Sequence, residues 1–344
     1  MKAIVLNQFG EAEHFQKADL PTPKVGRTDV RIKIKACAFN PVDCKIRKGK
    51  IPGDLPMVLG IDCSGVVDSV GDQCHEFSKG DEVVAFAFGP CSNGAYAEYV
   101  SLPAQFVVHK PKNLSFTDAA AFPLTYLTAF QALIEKGILQ ENRPFFIAGA
   151  SGGVGSAALA LSKCYRAGPV FTLSGSEKSK EYLLSHFHLP SENIISYERW
   201  TQEELEECVI ERNQKERFYL AFDCVGGKMK QLCYSICDLG GHLVSILPES
   251  EEFELSVWGR KKESAFSRSV SIHMVNLLSR VIYGKEKDWI AYKAQLKQLV
   301  KLFEQENMLV PQIEILGSLS VETVQKAHWR MEQGHTQGKL VMNL

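Results

Sequence analysis

The run Phe145-Phe146-Ile147-Ala148-Gly149-Ala150-Ser151-Gly152-Gly153-Val154-Gly155 carries the strongest chemical signal in the chain. An apolar strand enters a glycine turn and a small-residue helix follows. In Ala150-x-Gly152-x-x-Gly155, Gly152 lets the backbone approach a pyrophosphate and Gly155 lets the helix pack close to the strand. Ser151, Gly153 and Val154 complete the turn. The helix N-terminus would turn unpaired N–H groups and the positive end of its dipole toward phosphate oxygens. A glycine turn can also be a plain connector, so the flanking strand and helix are what favour a dinucleotide.

The end of the next strand reads Phe171-Thr172-Leu173-Ser174-Gly175-Ser176-Glu177-Lys178. A site selective for NAD places Asp or Glu there, against the ribose hydroxyls. Ser174 holds that position, so nothing repels a 2′-phosphate, and Ser176, Lys178 and Tyr197 could hydrogen-bond it. The expected cofactor is therefore NADPH. In the competing reading Lys178 is a solvated helix residue with Glu177 beside it.

These groups need a scaffold, and 344 residues give room for two domains. With 45% hydrophobic and 23% charged residues the composition is that of a folded globular chain. Thirty-nine basic against 40 acidic residues leave a net charge of −1, so neither nucleic acid nor an anionic membrane is an expected partner. The apolar runs 145–150 and 157–161 are too short to span a bilayer, and Met1-Lys2-Ala3-Ile4 leads into a strand-like segment with no signal-peptide core. A cytoplasmic location is expected, with the ten cysteines reduced.

The first third is rich in short strands, at 3–6, 30–36 and 82–87, between turn signals, which suggests an irregular antiparallel barrel. From about residue 119 the pattern changes. A long helix is expected over 118–136, then strands at 145–149, 170–174, 194–196, 219–224 and 242–247. Helices at 155–166, 177–187, 203–212 and 229–239 alternate with them. Such alternation implies parallel pairing through right-handed crossovers, hence an α/β, doubly wound parallel sheet. A last strand is expected at 269–275, with helices at 289–306 and 321–333 and short strands at 313–315 and 339–341. The charged segment 249–267 reads as a surface loop and helix.

Further fragments set the chain in a family. They are Asn40-Pro41-Val42-Asp43-x-Lys45-x-Arg47-x-Gly49, Leu59-Gly60-x-Asp62-x-x-Gly65-x-Val67-x-x-Val70-Gly71 and Gly80-Asp81-x-Val83. Gly94-x-Tyr96-Ala97-Glu98-Tyr99, Pro123-Leu124-x-x-x-Thr128-Ala129, Asp223-x-Val225-Gly226-Gly227 and Gly338-Lys339-x-Val341 continue the series. In order and spacing the chain resembles the medium-chain dehydrogenase/reductase superfamily, in its zinc-free quinone oxidoreductase and enone (alkenal) reductase branch. The resemblance implies a split, mostly β GroES-like catalytic domain, 1–124 with 276–344, and an inserted Rossmann cofactor domain, 125–275.

Zinc-dependent relatives have a catalytic Cys where this chain has Asn40, and a His where it has Ile61. Neither replacement can ligate zinc as thiolate or imidazole do. Of the four clustered cysteines of their structural zinc site only Cys91 has a counterpart. No metal is expected, and His186-x-His188 reads as surface.

Without a Lewis acid, simple alcohol oxidation loses its usual catalyst, whereas a quinone or α,β-unsaturated carbonyl can take hydride on a conjugated carbon and collect charge on its own oxygen. Lys45 is the candidate donor to that oxygen; pairing with Asp43 is the competing reading. By resemblance Asn40 would orient nicotinamide, ribose or substrate carbonyl, Thr125 would reach the nicotinamide side, and Lys339 would lie near cofactor. Val225 and Gly226 belong to the same cofactor set, and Asp43 is either catalytic or a turn residue after Pro41. Cys44 could be alkylated by an enone, and His273 and Asn276 could face cofactor or a dimer seam. The resemblance also implies a homodimer. The expected activity is NADPH-dependent reduction of a small conjugated carbonyl or quinone. The alternatives are an NADPH-binding regulatory protein and an enoyl reductase of acyl metabolism.

Overall fold

The computed structural model describes residues 1–88, 92–136, 138–197, 200–248, 264–334 and 336–344. Cys91 and most of the charged segment 249–267, with Arg260, Lys261 and Lys262, lie outside the described residues. Two compact units emerge, Met1–Leu127 with Leu278–Leu344, and Thr128–Leu277.

The first unit opens with β1 (Lys2–Leu6), β2 (Phe15–Asp19), β3 (Asp29–Ala38), α1 (Pro41–Arg47), β4 (Met57–Val58) and β5 (Asp62–Val70). It continues through β6 (Glu82–Phe86), β7 (Tyr99–Pro103), β8 (Val107–His109), α2 (Phe116–Ala120) and the start of α3 (Pro123–Phe130). A three-stranded sheet runs β2-β1-β4. Strand β3 organises the larger sheet: its buried residues alternate along much of its length, and β5 lies antiparallel along one edge. Its other edge is shared, with β7 on Asp29–Lys33 and a C-terminal strand on Ala36–Ala38.

The second unit contains β9 (Phe145–Ala148), α4 (Gly153–Cys164), β10 (Val170–Ser174), α5 (Glu177–Phe187), β11 (Ile194–Ser196) and α6 (Gln202–Arg212). Then come β12 (Phe218–Asp223), α7 (Lys228–Ser235), β13 (Cys237–Ser245), α8 (Ala265–Arg268) and β14 (Ser271–Met274). Six strands run parallel in the order β11-β10-β9-β12-β13-β14. Their continuous apolar character, as in the fully buried Phe145–Ala148, suits a sheet covered on both faces.

The chain returns to the first unit with α9 (Ser279–Ile282), α10 (Glu286–Gln305), β15 (Ile313–Ser318), α11 (Val321–Glu332) and β16 (Lys339–Asn343). β16 is the strand that completes the open half of β3.

Two expected helices differ from those observed. The helix over 118–136 is broken: α2 ends at Ala120, α3 starts at Pro123, and a π-helical turn follows over Gln131–Glu135. Pro123 has no N–H to continue the ladder, and its ring disfavours helical geometry at the preceding residue. The helix expected over 229–239 stops at Ser235, and β13 begins at Cys237, because Cys237 pairs with Phe218 ahead of a register shift in the ladder.

All nine cysteines among the described residues are free thiols. No helix among the described residues is long and apolar enough to cross a membrane.

Candidate functional sites in the two units

In the second unit the strand order changes direction between β9 and β12, the position at which doubly wound sheets bind ligands beyond the strand ends. Gly149 takes φ +85, reachable without strain only by glycine, and its carbonyl accepts Gly152 N–H at 3.1 Å. A Cβ on Gly155 would stand 2.1 Å from Gly149 O and 2.5 Å from Ala150 Cα, so glycine is what lets α4 lie against the turn. A Cβ on Gly152 would find only Gly149 O, at 3.4 Å, leaving open space beside the helix N-terminus. Packing therefore requires Gly155, while Gly152 keeps room for something absent from the fold itself. These features fit a dinucleotide diphosphate.

Asp223 builds the opposing loop. Its Oδ1 accepts Val225 N–H at 3.0 Å and Gly226 N–H at 2.7 Å, and its Oδ2 accepts the Ser245 hydroxyl at 2.7 Å. This buried carboxylate holds Gly226 at φ +84 and leaves Val225 half exposed, an apolar surface beside the glycine turn. Val225 and Gly226 are in the expected cofactor set, whereas the role of Asp223 emerges only from the structure. A charged residue closing an apolar strand was the signal.

The rim after β10 corrects the expectation for Ser174. That hydroxyl is buried, donates to Ser176 O at 2.8 Å and lies 2.5 Å from Ser179 Oγ. It seals the turn instead of facing a ligand. Ser176 caps α5 by accepting Ser179 N–H at 3.2 Å, yet Ser176 and Lys178 remain exposed. The Tyr197 hydroxyl stands 2.8 Å from where a Gly175 Cβ would be, so it too borders this rim.

In the first unit, α1 opens at Asn40 with Pro41 in its first turn, and Asp43 Oδ2 accepts Asn40 N–H at 2.9 Å. Asn40 is fully buried with both amide atoms engaged. Its Nδ2 donates to Asp62 Oδ2 at 3.0 Å, and its Oδ1 accepts Lys339 Nζ at 2.5 Å. Lys339 also donates to Phe39 O at 2.9 Å and meets Asp62 Oδ2 at 3.5 Å. The expectations for both residues are corrected accordingly: the Asn40 amide is not free to orient a nicotinamide or carbonyl, and the Lys339 ammonium is committed to the interior.

Burial raises the pKa of Asp62, opposed by the Lys339 ammonium, while burial lowers that of Lys339, opposed by Asp62. Asp62 also accepts Leu124 N–H at 2.9 Å, so its contacts favour the carboxylate paired with ammonium. The second carboxyl, Asp43, has no ammonium in contact, and burial pushes it up to about 7. Its Oδ1 lacks a hydrogen-bond partner. Behind it the Tyr96 hydroxyl meets His328 Nε2 at 3.2 Å, and burial, with Arg47 nearby, brings His328 down to about 3. Asp62, Tyr96 and His328 complete a buried polar chain that the sequence reading did not assemble.

Lys45 does not pair with Asp43. It is half-buried and its ammonium has no partner among the described residues. Burial, then the neighbouring Lys50, lowers its pKa. It lines a cavity of about 230 Å³ between α1 and the end of α11. Cys44 borders the same cavity, but burial pushes its thiol up to about 12, which removes the thiolate needed for the alkylation considered above. Thr125 is buried, its hydroxyl reaching Ala121 O at 3.1 Å and Phe122 O at 3.3 Å.

The residues at the zinc-ligand positions do not fit that metal. Asn40 is held as described and Ile61 is a buried hydrocarbon. Among the described residues no group of three or more His, Cys, Asp and Glu side chains could hold a metal ion.

With this geometry in hand, the comparisons agree on the class. Residues 26–112 match the alcohol dehydrogenase GroES-like domain, and residues 193–342 match the zinc-binding dehydrogenase family. The chain belongs to the medium-chain dehydrogenase/reductase superfamily, an oxidoreductase family. It is 34% identical over 232 residues to the human synaptic vesicle membrane protein VAT-1 homolog-like, covering 66% of this chain and 51% of that one. The match thus spans about half the length of that relative. The mitochondrial NAD(P)H oxidoreductase RTN4IP1 of Dictyostelium discoideum is 28% identical over 100% of this chain and 99% of its own. Human quinone oxidoreductase is 34% identical over 54% of this chain and 56% of its own. The solved structure of an NAD-dependent alcohol dehydrogenase superposes with a TM-score of 0.85 at 28% identity, covering 100% of both chains.

Proposed function

We propose that the protein is an NADPH-dependent, zinc-independent oxidoreductase that reduces a quinone or an α,β-unsaturated carbonyl compound. The observation that carries this reading is the engagement of Asn40 by Lys339 and Asp62, with Ile61 beside it, where zinc-dependent relatives hold their metal. An acceptor that spreads charge through its own conjugation needs no Lewis acid. The similarity to human quinone oxidoreductase and to the tomato 2-methylene-furan-3-one reductase, 34% identical over 66% of this chain and 57% of that one, supports the same acceptor classes.

The bound dinucleotide would supply hydride. The turn Gly149–Gly153 and the N-terminus of α4 would bind its diphosphate, with Val225 packing beside it. Ser176, Lys178 and Tyr197 would receive a 2′-phosphate, and no carboxylate stands at position 174 to repel it. Lys45 would donate a hydrogen bond to the acceptor oxygen as negative charge collects there. We assign the protein to the cytoplasm and to a homodimer. Support for the dimer comes from β14, an edge strand flanked by exposed Met274 and Phe266.

Purified protein should oxidise NADPH faster than NADH with members of a quinone and enone panel, undiminished by chelators. Binding of NADPH without reduction of any acceptor would sink the catalytic reading and leave the regulatory one.

A further inference from the structure

We propose that the cavity between α1 and the end of α11 is an oxyanion-binding site, built to take a carboxylate or phosphate group. Lys45, Lys48 and Lys50 line it, together with one carboxylate, Glu332. That carboxylate is already used twice: it meets Lys48 Nζ at 2.6 Å and also receives the Arg47 guanidinium. The backbone N–H of Lys50 donates to Lys45 O at 2.9 Å, but the ammonium groups of both residues have no partner among the described residues. Arg47 is fully buried, and its Nε and Nη1 have no hydrogen-bond partner. Lys48 and Arg47 therefore share one carboxylate, and the ammonium groups of Lys45 and Lys50 on the same cavity have none.

Basic residues at a helix C-terminus are common because they offset the dipole. That role accounts for Lys48 in the solvent, but not for a half-buried Lys45 placed close enough to Lys50 to feel its charge. Lys50 is exposed at the rim of this open cavity; two like charges held there destabilise each other, and an oxyanion between them removes that cost. Pro41 and Met331 give the cavity apolar walls, which strengthen charge-assisted hydrogen bonds to whatever anion enters. Its volume of about 230 Å³ is below the usual range for a whole drug-sized ligand, so it suits the acidic end of a molecule.

The dinucleotide's phosphates are placed at the turn after β9 and the rim after β10, so the anion belongs to another ligand, and lysine acetylation followed by mass spectrometry tests this. Inorganic phosphate should slow acetylation of Lys45 and Lys50 at least fivefold while leaving the exposed Lys24 and Lys79 unchanged. The variant Lys50→Gln should lose about tenfold in phosphate affinity, and Lys79→Gln should lose none. The effect should persist under saturating NADPH; its loss would mean that the dinucleotide itself reaches this cavity and would overturn the assignment to a separate acidic ligand. Absent or uniform protection, or equal phosphate affinity in the two variants, overturns the proposal. Oxidation of NADPH by the same preparation reports on the redox reading separately.

Discussion

Lys339 Nζ lies 2.5 Å from Asn40 Oδ1, joining residues 299 positions apart inside the first unit. This contact ties β16 to the start of α1 and neutralises Asp62 on β5. Replacing Lys339 with Met would leave a buried carboxylate without its ammonium, a change that typically costs about 3–5 kcal/mol. Chemical denaturation should show a large loss of stability for Lys339→Met. A loss below about 1 kcal/mol would mean that the pair contributes little.

Gly152 and Gly155 should respond differently to the same added methyl. Gly155→Ala meets backbone at 2.1 Å and should destabilise the second unit, lowering the melting temperature. Gly152→Ala meets nothing closer than 3.4 Å, so its melting temperature should stay near wild type while NADPH affinity falls about tenfold, or about 1.4 kcal/mol. Calorimetry and fluorescence titration of both variants check this.

Lys45→Met should lower kcat by roughly 10²-fold, the scale seen when one donor to a developing oxyanion is lost, with a much smaller change in NADPH affinity. Unchanged turnover would remove its proposed role.

The rim after β10 makes a cofactor-specific prediction. Lys178→Ala and Tyr197→Phe should each raise KM for NADPH several-fold while leaving KM for NADH unchanged, since only NADPH carries the extra phosphate. Parallel changes for both dinucleotides would place selectivity elsewhere.

Asp43 predicts a pH dependence. Its folded pKa, about 7, is raised above the usual 3.8, so the folded state holds a proton that the unfolded state releases. Stability from this group is fully present below about pH 4 and is lost as pH rises through 7, by roughly 4 kcal/mol at most. Asp62 is shifted in the same direction. His328, lowered to about 3, acts oppositely: its contribution is lost as pH falls from about 6.5 toward 3. Urea midpoints should therefore fall between pH 6 and 8 in the wild type and fall less in Asp43→Asn, which keeps an acceptor for Asn40 N–H.

The glycine turn between β9 and α4 was legible because strand, turn and helix are contiguous in 145–155, so local spacing carries the geometry. The same holds for α5, whose expected and observed limits coincide at 177–187. The break before Pro123 was also written in the letters, since proline cannot donate to a helix ladder, but apolar periodicity over 118–136 outweighed it. The environment of Asn40 was not legible. Asp62, Tyr96, His328 and Lys339 come from separate strands, a helix and a connecting segment, and only their tertiary packing shows that their polar atoms face one another. Ser174 illustrates a subtler limit: it ends β10 as expected, but whether a hydroxyl faces out or bonds to a neighbouring serine depends on the rotamer.

The lateness of Lys339 bears on synthesis. Asp62 leaves the ribosome 277 residues before its ammonium partner is made, and β3 waits as long for the strand that completes its second edge. Residues 128–277 are by then already available to fold. The nascent first unit must therefore persist with an open strand edge and an uncompensated acid, a window in which chaperone capture or pairing with a neighbouring polypeptide competes with completion of the sheet.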